Sequence, residues 1–113
     1  MDATTWPYPP ELEAALAAPQ SHRLMLETAA VRVYEVVIPP GVREPEHTHR
    51  CPSVMVVTEA AAFRYFVGDG LLYEGDAHWD EPPQALWMDP EGPHAIENVD
   101  DRTYRAFRIE LKS

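Results

Sequence analysis

The sequence predicts an all-β domain, a barrel or sandwich of short strands preceded by a short arm and helix. Runs rich in β-branched residues follow one another from His22 onward, Gly and Pro turn signals separate them, and the last run alternates. Such a succession fits a closed or two-layered β architecture.

The elements follow in order. Residues 1–10, with Trp6, Pro7, Tyr8, Pro9 and Pro10, read as an extended arm that docks on its own barrel or on a neighbouring subunit. Glu11 to Ala18 is rich in Ala, Leu and Glu and lies between Pro10 and Pro19, which predicts one short helix. Val31 to Ile38 reads as a strand stopped by Pro39-Pro40-Gly41. Ser53 to Thr58 and Ala61 to Val67 are predicted to form a hairpin, although Glu59-Ala60 is a poor turn pair. Gly68-Asp69-Gly70 turns the chain before Leu71-Leu72-Tyr73, and the acidic, proline-bearing segment 74–83 reads as a surface loop. Ala85 to Met88 is a short strand, Asp89 to Pro93 a turn, His94 to Val99 a strand and Tyr104 to Leu111 the last strand. The arm and helix thus span 1–21 and the barrel 22–113.

A chain of 113 residues has room for one core, and a content of 45% hydrophobic residues is enough to build it. With 19 acidic against 9 basic residues the formal net charge is -10, a field that repels phosphate backbones and anionic membranes alike. Nucleic acid and membrane are therefore not expected partners. No apolar run approaches the ~20 residues of a membrane helix, and residues 1–10 lack the basic and apolar regions of a secretion signal. Cys51 is the only cysteine, so no intramolecular disulfide can form, and a cytoplasmic location is the expected default.

Chemistry concentrates in the histidines. In an extended segment the rings of His47 and His49 point to the same face. Zn²⁺ and Fe²⁺ both accept neutral imidazole at ~2.0–2.2 Å, so such a pair makes half a metal site. His94 opens a later strand that can supply a third nitrogen. Five histidines in so short a chain produce this spacing by chance often, so the pair alone decides nothing. His22 and His78 lack ligand spacing and are set aside.

The surrounding sequence adds a second line. Gly41-Val-Arg-Glu-Pro-Glu-His47-Thr-His49-Arg-Cys-Pro-Ser53 resembles the first signature of the cupin superfamily, and Pro90-Glu-Gly92-Pro-His94-Ala-Ile-Glu-Asn98 resembles the second. The resemblance covers about residues 22 to 112. It implies a jelly-roll β-barrel holding one divalent transition metal on His47, His49 and His94, with Fe(II) favoured and Zn, Ni or Mn also possible. It also implies a homodimer.

Two departures sharpen the expectation. Ser53 stands where most cupins place a metal-binding Glu, and Ala60 stands where the signature has Gly, with one residue fewer between Gly92 and His94. The first departure predicts nitrogen-only protein ligands, open coordination positions and an undiminished positive charge that suits an anionic ligand. Cys51, Ser53, Tyr65 and Trp87 are expected to face the substrate cavity, with Met88 in its wall. Arg43 and Arg50 either attract an acidic substrate or balance Glu44 and Glu46 at the surface, and Asn98 is expected to bond backbone. Glu91 and Tyr65 are the candidates for general acid or base.

Three functions remain open at this point. By resemblance to three-histidine cupin oxygenases, one is a non-haem Fe(II) dioxygenase acting on a small organic substrate, or a Lewis-acid isomerase, hydrolase or decarboxylase on the same centre. The second is a non-catalytic cupin that binds or senses a small ligand, and the third a metal-free barrel whose role is association.

Overall fold

The computed structural model describes residues 6–75 and 84–112. Its strands in chain order are β1 (His22–Glu27), β2 (Val31–Ile38), β3 (His47–His49), β4 (Ser53–Glu59), β5 (Phe63–Val67), β6 (Gly70–Gly75), β7 (Gln84–Met88), β8 (Glu91–Asn98) and β9 (Tyr104–Leu111). Two sheets result, ordered β1-β2-β9-β4-β7 and β3-β8-β5-β6, with antiparallel pairing throughout. The chain passes repeatedly from one sheet to the other, and the all-β jelly-roll architecture expected from the sequence is the one observed.

Alternation determines which residues face inward. In β2 these are Tyr34, Val36 and Ile38, and in β4 Ser53, Met55 and Val57. Tyr34, Val36, Ile38, Met55, Val57, Ala60 and Ala106 form the core cluster, with Met88, Ile96 and Tyr104 packed against it. Strand β9 departs from the apolar-inward rule. Its buried face carries Ala106, Arg108 and Glu110, while Phe107 and Ile109 are only partly buried on the other face. Charged groups on the inner face of a central strand need partners, and these partners turn out to belong to the site.

Four expectations are corrected. β4 and β5 do not form a hairpin: they lie in different sheets, and buried Ala60 and Ala61 carry the chain across. The turn at 89–93 is shorter than expected because β8 begins at Glu91, which pairs with His49. Pro93 fits within the strand because it lies at a register irregularity in the β3–β8 pairing, where the ladder does not need its missing N–H. The helix expected over 11–18 is a 3-10 turn at Pro10–Leu12 followed by one α-turn at Ala14–Ala17, which we label α1. The loop expected at 74–83 begins inside β6, and its remainder lies outside the described residues.

The N-terminal segment completes the barrel. Glu13 bridges to Thr48 beside β3, and α1 leads directly into β1. Tyr8 packs on Gly92, where an added Cβ would lie 3.0 Å from its hydroxyl, so this part of the arm docks on its own barrel.

Candidate metal centre

The site is built mainly on β3 and β8. His47 and His49 lie two residues apart on β3, and His47 pairs directly with His94 across the β3–β8 ladder. The pairing brings the His47 and His94 ring centroids to 4.4 Å, with His47 and His49 at 5.0 Å and His49 and His94 at 5.6 Å. His22, which the spacing argument set aside, joins them from β1, 4.7 Å from His47 and 5.1 Å from His49. Its strand belongs to the other sheet, and that distance in sequence is why spacing could not find it. His78 lies outside the described residues.

Each of the three expected rings is fixed through Nδ1. His47 Nδ1 meets the Pro45 carbonyl at 2.8 Å, His94 Nδ1 the Gly92 carbonyl at 2.8 Å, and His49 Nδ1 the Glu110 carboxylate at 2.9 Å. A carbonyl or carboxylate can only accept here, so Nδ1–H donates and Nε2 keeps its lone pair. Burial and neighbouring positive groups hold all four rings neutral: His47 is pushed down to about 4, His94 is lowered, and His22 and His49 lie well below the usual range.

Acids surround the rings despite Ser53. Glu44 Oε1 lies 3.7 Å from His47 Nε2, and Glu91 Oε2 lies 3.5 Å from His94 Nε2. Neither carboxylate stands at the spacing where the missing Glu would be, so the signature gave no sign of them. Glu44 is not at the surface, where one of the two readings of Arg43 and Arg50 put it. It is buried, accepts from Ser21 Oγ at 2.7 Å and the Ile96 amide at 3.1 Å, and burial raises it to about 7. Burial also pushes Glu91 up, but the Arg108 guanidinium, with smaller contributions from His94 and Tyr65, more than offsets this and lowers it. Arg108 Nη2 donates to Glu91 Oε1 at 2.7 Å, and Tyr65 donates to Glu91 Oε2 at 2.7 Å.

Next to the histidines lies a cavity of about 110 Å³, walled mainly by apolar side chains including Val36, Ile38, Met55, Phe63 and Ile96. Tyr65, expected here, does face it and stacks on His94 with centroids 5.1 Å apart. Met88 is also in the wall. The other expected cavity residues lie elsewhere. Trp87 is 59% exposed, because Leu86 and Met88 take the inward positions of β7 and alternation turns Trp87 outward. Cys51 is half-buried and outside the lining, since β3 ends at His49 and its alternation does not continue past that point. Ser53 is buried behind the wall, where Arg108 Nε donates to its Oγ at 3.1 Å. Arg43 lies over the Phe66 ring. Asn98 bonds backbone as expected, donating to the Ile38 and Arg102 carbonyls.

The fold agrees with solved structures. A cupin domain from Bordetella pertussis Tohama I superposes with a TM-score of 0.70 at 18% identity, covering 81% of this chain and 92% of that one. The chain has the cupin fold. An RmlC-like cupin family protein with a double-stranded β-helix fold from Methanocaldococcus jannaschii gives 0.60 at 12% identity, over 80% and 77% of the two chains. The polyketide cyclase RemF from Streptomyces resistomycificus gives 0.56 at 17% identity, over 81% and 64%. No protein-family model and no curated protein matches the sequence.

Whether this cupin barrel suits a metal is answered by His49. Its Nε2 is fully buried and has no hydrogen-bond partner among the described residues, an arrangement that is costly for a polar nitrogen unless something else binds it. Within the described residues, ligand atoms of His22, His47 and His49 come within 4.8 Å of one another, as do those of Glu44, His47 and His94, and of His49, Glu91 and His94. These donors fit a divalent transition metal.

Proposed function

We propose that this cupin binds one divalent transition metal through His47, His49 and His94 and acts on a small organic ligand in the adjoining cavity. The observation that supports the reading is the ring orientation. Three Nδ1–H groups are tied back to oxygen acceptors, which turns three unprotonated Nε2 atoms away from the backbone. Imidazole donors suit Fe²⁺, Zn²⁺ and Ni²⁺, with Mn²⁺ a weaker match; Fe²⁺ is the metal we favour.

Such an ion would supply positive charge to polarise an oxygen function of the ligand. Of the chemistries open to it, oxygenation and proton transfer, the cavity favours proton transfer. Glu91 is held ionised by Arg108, with its other oxygen on the Tyr65 hydroxyl. Burial and the Glu91 charge push Tyr65 upward, so it retains its proton. Glu91 is thus placed to take a proton from a ligand beside His94, and Tyr65 to hold or return one. Arg108 limits the carboxylate's basicity and orients it.

Protein purified without added metal or chelator is expected to carry about one equivalent by elemental analysis. His47→Ala and His94→Ala should lose it, and Glu91→Gln should keep it while abolishing turnover of small oxo-acids and enolisable carbonyls. Substrate-dependent oxygen uptake would instead establish the dioxygenase, and ligand-induced stabilisation without turnover a binding protein. Full metal content in both histidine variants would overturn the reading.

A further inference from the structure

We infer that His22 is a fourth nitrogen ligand of this metal, supplied from outside both signatures in place of the carboxylate that Ser53 removes. The inference rests on the three-histidine reading above.

His22 is the only buried residue of β1 and sits opposite Val36 on the inner face of its sheet. It is 5% exposed, an unusual place for an imidazole without a task. Its ring packs against His47, His49 and Tyr34. The Nδ1 edge lies 3.3 Å from the Ala18 carbonyl at the end of α1 and 3.0 Å from Ser21 Oγ. Among the described residues nothing hydrogen-bonds to Nε2. This is the same disposition as in the three signature histidines: one nitrogen tied to an acceptor of the fold, the other left for an ion.

The alternatives for a fourth donor are Glu44 and Glu91, and both are already engaged. Glu44 receives Ser21 Oγ on one oxygen and the Ile96 amide on the other. Glu91 receives Tyr65 on one oxygen and Arg108 on the other. The guanidinium neutralises Glu91, whereas His22 offers a lone pair that competes with nothing. One ring nitrogen from each of His22, His47 and His49 falls within 4.8 Å of the others, close enough for small side-chain rotations to bring these three onto one ion, with His94 reaching it from beside His47.

A chemical consequence follows. Four imidazoles saturate a tetrahedral ion such as Zn²⁺ but leave an octahedral ion two positions. The same pocket would then be closed with one metal and open with another.

The test compares wild type, His22→Ala, His22→Phe and His47→Ala, each stripped and loaded with Co²⁺. Both His22 variants are expected to bind one equivalent at least about 10-fold more weakly in chelator competition. Their ligand-field absorption should shift, and added imidazole should restore the wild-type band in His22→Ala. Because a buried substitution can prevent folding, Zn²⁺-loaded wild type carrying ¹⁵N-histidine provides a second readout. Four of the five histidines should show a metal-bound ring nitrogen. Three bound rings, or wild-type affinity and spectrum in the His22 variants while His47→Ala loses metal, would overturn the role of His22 and leave the three-histidine site intact. Retention of metal by His47→Ala would overturn both.

Discussion

At the scale of single residues, the site depends on atoms that hold other atoms in place. His49 is the clearest case. Its Nδ1–H donates to Glu110, whose other oxygen receives Arg32 Nη1 at 3.1 Å. Burial raises Glu110, with Arg108 and Arg32 opposing it, while burial lowers His49. The Arg32 contact favours the carboxylate, so the proton sits on His49 Nδ1 and Nε2 faces inward. Glu110→Gln removes the charge and can present an amide N–H to Nδ1, which favours the wrong tautomer. Metal affinity should fall about 10–100-fold with the fold preserved. Chelator competition and the far-ultraviolet circular dichroism spectrum check the two halves of that expectation. Unchanged affinity would mean that the tautomer is fixed by something other than Glu110.

At the scale of elements, local pattern was enough for some strands and misleading for others. β2 and β9 run over the residues that composition and alternation indicate, and the histidine signature gave the β3 and β8 contributions. The β4–β5 hairpin failed because strand propensity says nothing about which sheet a strand joins, and the weak Glu59-Ala60 turn was the only local clue. Arg108 and Glu110 were illegible for a related reason. Alternation places Phe107 and Ile109 inward by hydrophobicity, but the structure buries the polar set because His49 and Glu91 partner it. Such inversions belong to functional sites. The β5–β6 pair carries a prediction at this scale. Gly75 lies opposite Phe63, and a Cβ at Gly75 would collide with the Phe63 ring, which walls the cavity. Gly75→Ala should force Phe63 from its rotamer and destabilise the domain by about 1–3 kcal/mol in urea unfolding. In a Phe63→Ala background the same change should be nearly neutral, and an undiminished penalty there would locate its cause elsewhere.

At the scale of the whole molecule, the centre joins the two sheets, since His22, Arg108 and Glu110 come from one and His47, His49, Glu91 and His94 from the other. Folding therefore buries four imidazoles and couples stability to pH. A histidine lowered in the folded state is neutral there while its unfolded counterpart takes up a proton below about 6.5. The unfolded chain then binds more protons, so stability present above about 6.5 is lost as pH falls toward the folded value, about 4 for His47. Glu44 acts in the opposite sense. Raised to about 7, it holds a proton in the folded state that the unfolded chain releases, and so it favours the folded form as pH falls below 7. Glu110, also raised, adds to that side. Four lowered imidazoles, with Glu91 also lowered, outweigh the raised carboxyls of Glu13, Glu44 and Glu110, and the net effect is acid destabilisation. His47 alone contributes about 2 kcal/mol between pH 6.5 and 5. Urea unfolding of metal-free protein should give a lower free energy at pH 5 than at pH 7, and His47→Asn should reduce that difference. Bound metal should steepen the loss, because protons then compete with the ion for the same nitrogens. Equal stability at the two pH values in metal-free protein would mean that the imidazoles are hydrated or charged in the folded state, against the burial on which the centre depends.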